Sequence, residues 1–112
     1  MLMHFQHDRY NRHIERFHRT LEKFPSVKFI GHAQEWWANI DRKHVPGRDY
    51  PKGLVTAGGL TDRYLSDYPN CFADLSAGSG NNAIVRDEDH FRGFIDRHAD
   101  KLLYGTDCSE VT

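Results

Sequence analysis

Four short apolar segments, Met1–Phe5, Val27–His32, Cys71–Leu75 and Lys101–Gly105, alternate with stretches patterned as helices. That alternation limits the folds open to the chain more than any other feature. Val27-Lys-Phe-Ile-Gly-His32 and Cys71-Phe-Ala-Asp-Leu75 have the short, apolar character of strands buried between helices. Between the first two segments, Tyr10, Ile14, Phe17, Leu21 and Phe24 recur at steps of four, three, four and three, which predicts a helix over Arg9–Phe24 that Pro25 ends. A short helix is expected over Ala33–Ile40, then a long connection, Arg42–Gly59, rich in Gly, Pro and charge. Thr61 is expected to cap a helix through Tyr68, with Pro69 ending it. Ser76–Asn82 reads as a loop. Asp87–His98 reads as a helix with Phe91, Phe94, Ile95 and His98 on one side and acidic residues in its first turn.

The resulting order, β-α-β-α-β-α-β, implies parallel strands joined by right-handed crossovers and hence an α/β fold. Such sheets place function at the carboxyl ends of their strands. There the sequence offers His4 and His7 after the first strand, His32 ending the second, Asp74 and Ser76 at the third, and Asp107 past the fourth. Imidazole and carboxylate both donate lone pairs to a divalent cation, zinc foremost, so this rim is a candidate metal site. Of the other histidines, His13, His18, His90 and His98 fall on expected helices and read as packing or surface residues. His44 lies in the long connection.

Charge excludes several classes of partner. Fifteen basic against sixteen acidic residues give a formal charge of −1, with no field to gather phosphate backbones or anionic lipid. Neither nucleic acid nor a membrane is expected as a partner. No run approaches the ~18 apolar residues that span a bilayer, and no basic segment leads into an apolar one, so a cytoplasmic setting is expected. Cys71 and Cys108 form no C-x-x-C pair and read as free thiols.

Leu2-Met-His4, Phe29-Ile-Gly-His-Ala33, Phe72-Ala-Asp-Leu-Ser76 and Leu103-Tyr-Gly-Thr-Asp-Cys108 resemble the fifth to eighth barrel strands of the amidohydrolase superfamily, specifically its amidohydrolase-2 branch. The His-Ala and Gly-Thr-Asp endings are the more specific parts. The resemblance spans nearly the whole chain and implies a partial (β/α) barrel of four parallel strands, residues 1–112 being the C-terminal segment of a (β/α)8 barrel. It implies an enzyme that hydrolyses an amide, ester or related carbon centre with a metal-activated water. His4 and Asp107 would hold the metal, and Asp107 would also take a proton from the water. His32 would either bind a second ion or act as acid, base or electrophile. The small-molecule substrate would meet Arg86 through its planar fork, Trp36 as a pocket wall, and His7. A helix-start salt bridge to Asp87 or Asp89 is the plainer role for Arg86.

Members of the same branch that decarboxylate or hydrate small aromatic or unsaturated acids give an enzymatic alternative, with Arg86 and His32 as partners of the acid. A non-catalytic α/β module docking through an open sheet edge is another. A doubly wound domain is a third, and it requires a strand order that crosses itself. Complete family members carry a His-x-His pair on the first strand, which has no counterpart here. The 112 residues are also less than half of the roughly 250 in a whole barrel. The chain is therefore expected to need an N-terminal barrel half, or self-association, before it can act.

Overall fold

A computed structural model describes residues 1–107, so Cys108, at the end of the fourth-strand match, lies outside the described residues. Strands β1 (Leu2–His4), β2 (Phe29–His32), β3 (Cys71–Asp74) and β4 (Leu102–Leu103) lie side by side in that order, each pair parallel. The expected α/β fold, with helices between four parallel strands, is what forms. The order does not cross itself, so the sheet is not doubly wound.

Register divides the sheet into two faces. Met3, Gly31, Ala73 and Leu102 share one cross-strand row and Leu2, Ile30 and Phe72 the next, and alternate rows face opposite ways. The first face, with Phe29 and Cys71, is buried in the apolar core beside Phe17, Trp36, Leu65, Phe91 and Phe94. The second is partly open, because Leu2 and Leu103 are exposed while Ile30 and Phe72 are half-buried. Parallel sheets are ordinarily covered on both faces, so this asymmetry is a distinguishing property of the chain.

Several local expectations are corrected. The first helix starts at Ile14–Arg16 as a 3-10 turn and becomes α-helical only in α1 (Phe17–Lys23). Asp8, Asn11 and His13 hold left-handed φ of 63°, 46° and 66°, which an α-helix cannot contain. Tyr10 and Phe24, the ends of the apolar stripe, are consequently exposed, and Ile14, Phe17 and Leu21 alone are buried. α2 (Gln34–Ala38) follows β2 as expected, and residues 41–59 form the long connection.

α3 (Leu60–Asp67) takes Gly59 as its N-cap, and Thr61 sits inside the first turn, where its hydroxyl donates to the Trp36 carbonyl at 2.5 Å. α4 (Ala77–Val85) occupies the stretch expected as a loop. Its Gly80 rests so close to the chain just after β3 that a Cβ would lie 2.4 Å from the Leu75 carbonyl oxygen, so here glycine serves close packing and not a turn. α5 (Glu88–His98) is capped by Asp87, whose carboxylate accepts from the His90 amide at 3.1 Å. Phe91, Phe94 and His98 are buried as expected, but Ile95 is exposed. The fourth strand is shortened because Ala99–Lys101 forms a 3-10 turn.

Candidate functional site

β1, β2 and β3 end at a common rim. His4 and His32 are register partners, and their rings stand edge to face with centroids 5.4 Å apart. His4 is half-buried, with Nε2 3.2 Å from the Gln6 side-chain oxygen and its ring edge-on to Tyr10. His32 is buried, 6% exposed, and touches three other polar side chains. Its Nδ1 lies 3.2 Å from Ser76 Oγ and 3.4 Å from Asp74 Oδ2, and its Nε2 lies 3.6 Å from Asp107 Oδ2.

These contacts fix the proton on His32. The Ser76 hydroxyl donates to Asp74 Oδ2 at 2.8 Å, and the Ser76 amide donates to Asp74 Oδ1 at 2.9 Å. With its own proton committed, Ser76 Oγ can only accept from the imidazole, so Nδ1 carries the hydrogen. Nε2 faces Asp107 Oδ2. A histidine anchored through one nitrogen to a hydroxyl–carboxylate pair, with the other nitrogen turned to a second carboxylate, is an arrangement that metal ligands and general bases share.

Backbone strain collects at the same place. Ala33, directly after His32, has φ 84° and ψ −172°, a region nearly restricted to glycine. Ala77, directly after Ser76, has φ 65°, and Asp107 itself has φ 54°. Conformations of this kind cost on the order of 1–3 kcal/mol each and persist where the surroundings over-determine them. Trp37 contributes by donating its indole N–H to the Asp74 carbonyl at 2.8 Å, which pins the end of β3.

The donor set fits a divalent ion in kind but falls short in number. A 3.6 Å separation between the His32 and Asp107 donor atoms is close to what two ligands of one zinc require at bond lengths of about 2.0–2.2 Å. Among the described residues, however, no three His, Cys, Asp or Glu side chains group closely enough to hold an ion. A catalytic zinc takes three protein ligands and a structural one four.

The remaining candidates lie elsewhere. Trp36 is fully buried on the helix-covered face, stacked on Phe5 and so close to Gly31 that no Cβ fits between them. It is a core residue. Arg86 is committed within the protein, its side chain 3% exposed, with one nitrogen 3.2 Å from Asp41 Oδ2 and Nε donating to the Gly53 carbonyl at 2.9 Å. Its ion-pair partner is therefore neither Asp87 nor Asp89, and its remaining terminal nitrogen, Nη1, is buried without a hydrogen-bond partner. His7 is exposed, 3.3 Å from Asp8, and lines a cavity with Glu35 and His44. Sequence reasoning put Asp74 and Ser76 on the rim without giving them a role. The Asp-x-Ser spacing at a strand end was the available signal, because it lets the hydroxyl turn back onto the carboxylate.

No family model, curated protein or solved structure matches the chain, so the functional reading rests on these residues. No helix among the described residues is long and apolar enough to cross a membrane.

Proposed function

We propose that this chain is the segment of a cytoplasmic, metal-dependent amidohydrolase-type barrel that carries strands five to eight, with His4, His32 and Asp107 as an incomplete set of ligands for a divalent ion, zinc foremost, that further strands would complete. The observation that carries the reading is the sequential parallel sheet whose strand ends bring two imidazoles and a carboxylate to one rim. When bound, a divalent ion supplies a water whose pKa falls from about 16 toward ~7, ready to attack an amide or ester carbon. In this reading Asp107 would take the proton of that water. His32 is held by Ser76 and Asp74 with its Nε2 turned toward Asp107.

The open sheet face and the shortfall of ligands share one remedy, namely further strands that close the barrel and bring the remaining ligands. An N-terminal barrel half or a second copy of the chain would supply them, and the isolated chain is then inactive. Decarboxylation or hydration of a small acid is the weaker reading, because Arg86, the residue that would hold the acid, is already paired with Asp41.

Zinc bound after exhaustive dialysis at neutral pH tests the proposal. One ion per chain or per defined oligomer is expected, and Ser76→Ala should weaken it about 10- to 100-fold by freeing the His32 ring. Absence of stoichiometric zinc would leave the non-catalytic α/β module standing.

A further inference from the structure

A cavity of about 620 Å³ lies beside the rim, between the connection that follows β1 and the long connection 41–59. Its volume is in the range of small-molecule sites. Four carboxylates line it, and each is occupied by a cation or an imidazole: Asp8 by His7 at 3.3 Å, Glu15 by His13 at 3.2 Å, Glu35 by His44 at 2.9 Å, and Asp41 by Arg86 at 3.2 Å. Three guanidinium groups line it as well, from Arg12 before the first 3-10 turn, Arg42 in the long connection and Arg63 in α3. None of the three has a side-chain partner among the described residues. The formal charges of the wall nearly balance, so recognition depends on which groups are free and not on a net field. The three arginines are free of ion pairs, while Glu35 keeps one buried oxygen, Oε2, without a hydrogen-bond partner.

A second observation comes from His44. Its side chain is 2% exposed, its Nε2 is committed to Glu35, and its Nδ1 has no hydrogen-bond partner. An orphaned polar atom buried to that degree calls for an occupant. We propose that this cavity binds a small oxyanion, a carboxylate or phosphate group, gripped by the planar forks of Arg12, Arg42 and Arg63, with His44 as a further donor when protonated. The site is independent of zinc at the rim, although Gln6, which meets His4, also lines the cavity.

Calorimetric titration with inorganic phosphate and with succinate, at ionic strength held constant with sodium chloride, tests this. Saturable binding at about 1 mM or tighter is expected for at least one of them. Arg42→Gln and Arg63→Gln should each weaken it about tenfold, the loss of one charge-assisted hydrogen bond. Arg92→Gln, whose partner is the exposed Asp89 on α5, should not change it. All these side chains are exposed, so the variants should melt like the parent, which thermal unfolding checks. Preference for phosphate would assign a phosphate ester, and preference for succinate a carboxylic acid. Failure of both anions to saturate, or binding that survives replacement of all three arginines, would overturn the proposal whatever the zinc result.

Discussion

At the scale of single residues, the sheet depends on one missing side chain. A Cβ on Gly31 would fall 2.3 Å from the Trp36 ring, and Trp36 is enclosed by Phe5 and Phe17 with nowhere to move. Gly31→Ala should therefore destabilise the protein by about 3 kcal/mol, read as a lower denaturation midpoint at unchanged slope. Sequence showed that Gly31 sits in a strand, but its reason for being glycine required Trp36 in place. The same holds for Arg86. A residue after a glycine-rich stretch looks free for substrate until Asp41, forty-five positions away, is found against it. His4, His32 and Asp107 were legible because a strand's carboxyl end is a position that local pattern can locate.

Elements were legible in proportion to how much their own residues decide them. α5 carries its own start signal, Asp87 followed by Glu88 and Asp89, and it formed within one residue of the expected range. Asp87 has a second task, since its Oδ2 accepts from the Val55 amide at 3.0 Å and ties down the long connection. Asp87→Ala should cost about 1–2 kcal/mol in thermal or chemical unfolding, a cap together with a loop anchor. Hydrogen exchange should speed up at Val55 as well as at His90, and an effect confined to α5 would contradict this account. α4 was missed because Gly, Ser and Asn are weak helix formers, and packing against α2 and α5 overrides that preference. The early turns of the first helix were over-read. The stripe from Tyr10 has the right period, but left-handed residues at 8, 11 and 13 divert the chain before Ile14.

For the molecule as a whole, the alternation of segments fixed the parallel sheet, while its open face depended on register and burial that no local pattern encodes. Three partly or fully buried carboxylates tie stability to pH. Burial pushes Asp62 up, but hydrogen bonds and charge from His98 and Arg97 outweigh it and hold its carboxyl below 3.8. Glu35 is likewise raised by burial and lowered further by His44, and Asp41 is raised by burial and lowered by the Lys43 and Thr56 amides and Arg86. Each stays ionised in the folded protein at a pH where the unfolded chain takes up a proton. Their stabilisation is thus complete above the unfolded carboxylate range and is lost as pH falls through the lowered values. Unfolding free energy should begin to fall below about pH 5. Asp62→Asn should be weaker by about 2 kcal/mol at pH 7, yet lose less than the parent on further acidification. A parallel pH profile for the two proteins would refute that assignment.

The account stands on two imidazoles from neighbouring strands sharing one ion, and a double-mutant cycle on zinc affinity tests this most directly. If His4 and His32 serve the same ion, His4→Ala and His32→Ala should each remove most of the binding. The double variant should then lose far less than the sum of the two losses. Additive losses, or zinc affinity indifferent to both substitutions, would mean that the rim holds two neighbouring histidines and no shared site.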